Sequence, residues 1–277
     1  MKRAVCPLSV VCVRREPSSK SEIVSQMLFG ETCVVVGESE DRKYWAVVTE
    51  FDEYANSGES DAGGEHGEGF FVDKKQLQFL DDSGDSPVGH PRGEAVALEF
   101  QCEARNESRC VRVPFGSTLP GFKDGWLFLG DEELSYSGRA FPPAAGSSEV
   151  PSLESMAHLL LGVPYLWGGR SIMGMDCSGL TQVLFKAIGV PLRRDAKDQA
   201  LQGEPVSYFD GREGDLVFFH DNIEPGKVMH VGLRLGGNQI IHAHGHVRID
   251  RLTEQGILNV DSNKLSHFLH SCRRFSL

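Results

Sequence analysis

A cysteine flanked by an acid, a serine and a glycine, Asp176-Cys177-Ser178-Gly179, stands directly before a segment in which Leu180, Val183, Leu184, Ala187 and Ile188 recur at helical spacing. Gly189 and Pro191 end the pattern, so the spacing predicts a helix with Cys177 at its N-terminus. Unpaired N–H groups and the positive end of the helix dipole there favour a thiolate over a thiol, and the same groups suit an oxyanion. A thiolate nucleophile needs a base. In residues 228–235, Met229, Val231, Leu233 and Leu235 alternate to one face of a strand and leave His230 on the other, free of the core. Gly236-Gly237-Asn238 reads as a tight hairpin turn, which brings His230 opposite His242 or within one residue of it. The chemistry this implies is attack on an amide by Cys177, with His230 as the base and His242 holding that imidazole in its productive tautomer.

Blander readings exist for each residue type. A cysteine is ordinarily a small buried hydrophobe, and that reading serves for Cys6 and Cys33. Glycines at 174 and 179, a flanking acid and a helix start set Cys177 apart. His242, His244 and His246 alternate onto one strand face and could ligate zinc, but no cysteine or carboxylate cluster accompanies them, so no metal is expected.

The elements that must position these residues fall into three parts. Residues 1–80 carry short strands at 8–13, 23–28, 32–36, 45–49 and 69–72, a small all-β barrel signature interrupted by a polar insertion at 52–68. A polar linker follows at 81–93, then a second small β unit at 94–140 with strands at 95–102, 110–114 and 125–129. A Pro-rich linker from Phe141 leads to a third domain at 150–277. There, helices at 153–161 and 180–188 precede strands at 216–219, 228–235, 239–243 and 247–249, an α+β order. The expected architecture is multidomain, two small β units followed by an α+β domain.

At 277 residues, with 40% hydrophobic and 24% charged residues, the composition is that of ordinary soluble protein, and no apolar run approaches a membrane span. A formal net charge of −11 argues against a nucleic-acid partner. Met1-Lys2-Arg3 and the apolar stretch after it look superficially like a leader, but Pro7 and Arg14-Arg15 cut it short, and it reads as a first strand. Seven cysteines, an odd number without a CxxC pair, suit a reducing compartment. A cytoplasmic monomer is expected, or a secreted or periplasmic one if a leader has been removed.

Pro164-Tyr165-Leu166-Trp167-Gly168-Gly169, then Asp176-Cys177-Ser178-Gly179, His230-Val231-Gly232 and Ile241-His242-Ala243, resemble in order the motifs of the NlpC/P60 cysteine peptidases, over about residues 150–277. The resemblance implies a reduced papain-like α+β domain with Cys177, His230 and His242 catalytic and no cofactor. The strands before it are similar to bacterial SH3-type barrels, and the whole resembles two-barrel γ-D-glutamyl-L-diamino acid endopeptidases. Their substrate is a murein tripeptide or tetrapeptide with a free N-terminal L-Ala, cut between γ-D-Glu and the diamino acid in cell-wall peptide recycling. Carried over by position, Tyr165 lines the cleft, Asp176, Ser178 and Asp195 contact substrate, and Glu31 is an acid delivered from the first barrel. A buried carboxylate suits a free ammonium. Two departures bear on specificity: His66-Gly67-Glu68-Gly69-Phe70 lacks the tyrosine of the family's Gly-Tyr-x-Gly-Trp motif, for which Tyr54 could substitute, and Ala196 stands where serine is frequent. The alternatives are a secreted hydrolase of intact cell wall and a degenerate peptide- or glycan-binding module.

Overall fold

Alternating apolar residues dictate strands with one buried face, and the N-terminal segments obey this: Val11 and Val13 are fully buried between half-buried Val10, Cys12 and Arg14. The structure, a computed structural model, describes residues 2–49, 69–80, 94–142, 151–224 and 226–276. It divides into two units, Met1–Pro143 with Gly168–Ser171, and Ala144–Trp167 with Ile172–Leu277. The expected insertion at 52–68 with Tyr54, the linker at 81–93 and most of the linker after Phe141 lie outside the described residues.

In the first unit, β1 (Lys2–Val5), β2 (Val10–Arg14), β3 (Ile23–Leu28), β4 (Thr32–Glu38), β5 (Tyr44–Thr49), β6 (Phe70–Asp73) and β7 (Gln78–Phe79) form one antiparallel sheet, ordered β3-β2-β6-β5-β4-β1-β7. The apolar stretch at 4–13, expected as a single first strand, is two strands, because Pro7 has no N–H for a ladder and the chain turns there. Then come β8 (Glu94–Ala97), β9 (Gln101–Arg105), β10 (Cys110–Pro114), β11 (Thr118–Pro120), β12 (Trp126–Leu129), β13 (Glu132–Tyr136) and β14 (Ala140–Phe141), in two sheets, β10-β9-β13-β12 and β11-β8-β14. The strand expected over 95–102 breaks at 98–100, and its halves join different sheets.

Val5, Phe29 and Leu80 share one buried cluster with Ala95, Leu119 and Leu127, so the two β segments of this unit have a common core. Gly30 permits their close approach: at φ +75°, a Cβ there would lie 2.1 Å from the Thr118 carbonyl oxygen. The short β15 (Arg170–Ser171) completes the unit.

The second unit begins with α1 (Leu153–Leu159), capped by Ser152, whose Oγ accepts from the Ser155 N–H at 3.2 Å. After β16 (Gly174–Met175) come α2 (Cys177–Ala187) and the single-turn α3 (Ala196–Gln199). The strands are β17 (Glu204–Val206), β18 (Leu216–His220), β19 (His230–Leu235), β20 (Gln239–His244), β21 (His246–Thr253), β22 (Gly256–Asn259) and β23 (Lys264–Arg274), ordered β17-β23-β18-β19-β20-β21-β22. Because β23 also pairs with β22, the sheet closes on itself. Val217, Phe219, Ile240, Leu252 and Ile257 pack together on one face. The cross-strand partners Phe219 and His230, Ile240 and Asp250, and Ile257 and His267 put the two histidines and the acid on that same face.

α2 packs against β19 and β20 and is buried from Cys177 to Phe185, so it is a core helix rather than the one-sided helix its spacing suggested. No described helix is long and apolar enough to cross a membrane.

Candidate active site

Asp176 is the N-cap that starts α2: it is extended (φ −91°, ψ 178°) and its Oδ1 accepts from the Gly179 N–H at 2.6 Å. Cys177 is therefore the first helical residue. Arg194 grips the cap with a two-pronged contact, Nη2 to Asp176 Oδ2 at 2.6 Å and Nη1 to Oδ1 at 3.1 Å, and Nη1 also donates to Ser178 Oγ at 3.0 Å. Gln199 ties the same loop down, donating from Nε2 to the carbonyls of Ser178 at 3.1 Å and Arg193 at 2.8 Å. The sequence reading had passed over Arg194.

Cys177 is buried, with 8% of its surface exposed. The backbone N–H groups of Val231 and Ser178 face its sulfur, which sets the sulfur against the residue that follows His230. Burial and the Asp176 carboxylate push the thiol up to about 12, outweighing those N–H groups and Arg194, which favour the thiolate. Burial, followed by the neighbouring rings of His242, His267 and His244, pulls His230 well below the ordinary imidazole value. Burial of both groups thus works toward thiol and imidazole, against the thiolate that the helix start alone would favour.

His230 is 5% exposed, so it is not freed from the core as the alternation suggested; both faces of β19 are covered. Its Nε2 lies 2.8 Å from His242 Nδ1, and His242 Nε2 lies 3.0 Å from Asp250 Oδ2. The two rings are not directly opposite. Leu235 pairs with Gln239 and Leu233 with Ile241 around a three-residue turn with Gly237 at φ +66°. Continued at that register, the ladder sets His230 against His244, and His242 is its diagonal neighbour on the same face. His267, from a strand the sequence reading did not place, stacks on His230 with ring centroids 4.1 Å apart and planes 21° apart.

His230, His242 and His267 each bring one possible ligand nitrogen within 4.8 Å of the others. His230 Nε2 and both nitrogens of His242 are already hydrogen-bonded in series to Asp250, and His267 Nδ1 lies 3.0 Å from Ser266 Oγ. The donor set matches a proton relay better than a metal shell. The other trio considered, His242, His244 and His246, does not share one strand: Gly245, at φ +72°, turns the chain so that His244 pairs with His246.

Tyr165 is half-buried, and burial together with the nearby Cys177 and Asp176 pushes its hydroxyl up to about 12. Asp195 is exposed at the N-cap position of α3, where its side chain makes no capping bond. Glu31, in the first unit, is 1% exposed. Its oxygens accept from Arg170 at 3.0 and 3.2 Å and from the Leu28 N–H at 2.8 Å.

Residues 162–262, which hold the capped cysteine helix and the two imidazoles in series, match the NlpC/P60 family. The chain therefore carries an NlpC/P60 domain in its C-terminal part. It is 48% identical over 145 residues to a gamma-D-glutamyl-L-lysine dipeptidyl-peptidase of Bacillus subtilis (strain 168), covering 50% of this chain and 48% of the relative. It is 33% identical over 131 residues to the Bacillus cereus (strain ATCC 10987) protein of the same name, covering 47% of this chain and 38% of the relative. The chain thus spans about half or less of these relatives. A crystal structure of an NlpC/P60 family protein from Bacillus cereus ATCC 10987 matches 99% of this chain and 100% of its own with a TM-score of 0.77 at 18% identity, a likeness of fold.

Proposed function

We propose that this chain is a cysteine peptidase that hydrolyses the amide between γ-D-Glu and the L-diamino acid of murein tripeptides or tetrapeptides bearing a free N-terminal L-Ala. The observation that supports the reading is the imidazole series on the strand whose Val231 N–H faces the sulfur: His230 Nε2 is engaged by His242 at 2.8 Å, which leaves Nδ1 as the nitrogen to take the Cys177 proton. As the sulfur attacks the γ-carbonyl, the thiol proton passes to His230 and the N–H groups at the start of α2 steady the oxyanion. The C–N bond breaks, His230 returns the proton to the leaving amine, and water then releases the acyl group from sulfur.

Tyr165, Asp176, Ser178 and Asp195 are the substrate contacts of this proposal. Asp195, exposed and without a capping bond, is the acid best placed to meet an ammonium, whereas Asp176 already holds Arg194. Glu31, the further acid carried over by position, is paired with Arg170 within the first unit. The two β segments of the first unit are read as SH3-like modules, and the compartment as the cytoplasm, in a recycling role. The names of the relatives support the bond class.

Incubation with L-Ala-γ-D-Glu-diaminopimelate and its N-acetyl form, with products identified by mass, tests the reading. Cleavage of the free-amine form alone, abolished in Cys177→Ala, is expected. Equal turnover of both forms, or preferential release from intact sacculi, contradicts the recycling role, and turnover of neither contradicts the activity.

A further inference from the structure

Behind His242 the relay ends on a carboxylate that the sequence reading did not single out. Asp250 lies on β21 with its side chain fully buried. Its Oδ2 is 3.0 Å from His242 Nε2, while its Oδ1 accepts from the Val260 N–H at 2.9 Å and from Arg248 Nη2 at 3.0 Å. Arg248 Nε stands 2.9 Å from Oδ2 as a further ionic contact. Donors therefore face both oxygens, and burial, which alone would raise this carboxyl, is outweighed by His242, Val260 and Arg248, which hold it well below the usual carboxylate range.

We infer that Asp250 is a positioning residue that fixes the tautomers of both imidazoles, and through them aims the bare nitrogen of His230 at Cys177. The inference rests on the proposed cysteine mechanism for its consequence, but not for its geometry. An ionised carboxylate only accepts, so His242 Nε2 carries the hydrogen. Burial pulls His242 below the ordinary imidazole value in spite of Asp250, so the ring is neutral and its Nδ1 is a lone pair. The hydrogen in the 2.8 Å contact must then come from His230 Nε2. A neutral His230 that carries its hydrogen on Nε2 has an unprotonated Nδ1, which is the proton acceptor the nucleophile requires.

The groups facing this relay include Arg248 and the rings of His244 and His267. None of these offers an acceptor to His242 Nε2 among the hydrogen bonds described, so Asp250 alone sets the direction of the chain.

Asp250→Asn keeps the shape and reverses the instruction. With Val260 N–H and Arg248 Nη2 holding the amide oxygen at the Oδ1 position, the NH2 group faces His242 Nε2, against Arg248 Nε and Asn259 Nδ2 on the same side, and drives the His242 hydrogen to Nδ1. His230 Nε2 must then accept, and its hydrogen moves to Nδ1, facing the sulfur. The expected result is a fall in kcat of roughly a hundredfold to ten-thousandfold with KM within threefold, by the precedent of an acid-to-amide change in a catalytic triad. Imidazole 15N shifts read the tautomers directly, independent of turnover. Wild type is expected to show His242 and His230 both protonated on Nε2, and Asp250→Asn to show both on Nδ1. A wild-type His242 protonated on Nδ1, or a folded Asp250→Asn with unchanged tautomers or with kcat within threefold, overturns the inference. Because the wild-type spectrum is decisive alone, neither a variant that fails to fold nor a chain lacking peptidase activity obscures the answer.

Discussion

The ring of His267 lies over that of His230, 4.1 Å between centroids and 21° between planes, so His230 is held between a stacked imidazole and the hydrogen-bonded ring of His242. Both neighbours are basic rings, and both oppose a charge on His230. In the proposed mechanism, a thiol of raised pKa facing a base of depressed basicity gives up its proton during attack rather than before it.

Alkylation of Cys177 follows from this. Iodoacetamide incorporation at Cys177 should climb steadily from pH 6 to pH 9 without a plateau, because little thiolate exists at neutrality when the thiol is pushed up to about 12. A pH-independent plateau in the rate below pH 6 would indicate a resting thiolate–imidazolium pair.

Acid should destabilise the fold through the same rings. Burial first, and then His242 and His244, draw His267 down to about 4, below the ordinary imidazole value of 6.5. Between those values the unfolded chain binds the proton and the folded one does not, so stability present near neutrality is lost as pH falls from about 6.5 toward 4. One proton corresponds to a slope of about 1.4 kcal/mol per pH unit at most. Urea unfolding at pH 7, 6, 5 and 4 should show His267→Phe with a shallower slope than wild type, by up to one proton; an identical slope would dissociate His267 from the effect.

The grip of Arg194 on Asp176 is nearly dry, with side chains 10% and 9% exposed. Removing one member leaves the other charge buried, so Arg194→Ala should lose about 3 kcal/mol of unfolding free energy, whereas the two together replaced by apolar residues should lose less. Denaturant unfolding of the two single variants and the double variant measures the coupling, and strict additivity would mean that the pair contributes nothing.

Glu31 and Arg170 make a second buried pair, 1% and 0% exposed. Glu31→Gln should lower stability by about 3 kcal/mol and leave KM for the free-amine peptide within threefold. A large rise in KM with unchanged stability would instead place Glu31 on the substrate.

Cys177 at the start of its helix was legible because the cap, the apolar spacing and the terminating Gly189 and Pro191 are local signals. His230 and His242 were legible as a pair because a hairpin joins them, although the three-residue turn made them diagonal rather than opposed. Arg194, Asp250 and His267 were not singled out. Arg194 acts across a loop on Asp176, 18 residues away. Asp250 sits in a strand whose polar and charged residues alternate with few apolar ones, so its burial is imposed by Val260, Arg248 and the closure of the sheet. His267 belongs to β23, which pairs with β17, β18 and β22 and so lacks the one-sided pattern that marks a strand. Likewise, nothing local shows that Phe29 and Leu80 share a core with Ala95 and Leu127.

The central claim is that Cys177 carries the acyl group of a γ-D-glutamyl peptide between two steps. Intact-protein mass spectrometry of acid-quenched reactions with L-Ala-γ-D-Glu-diaminopimelate, followed by peptide mapping, measures this most directly. The account predicts a transient adduct with the mass of an L-Ala-D-Glu acyl group on the peptide containing Cys177, absent in Cys177→Ala. Turnover with no adduct at any quench time, or turnover that survives in Cys177→Ala, would contradict it.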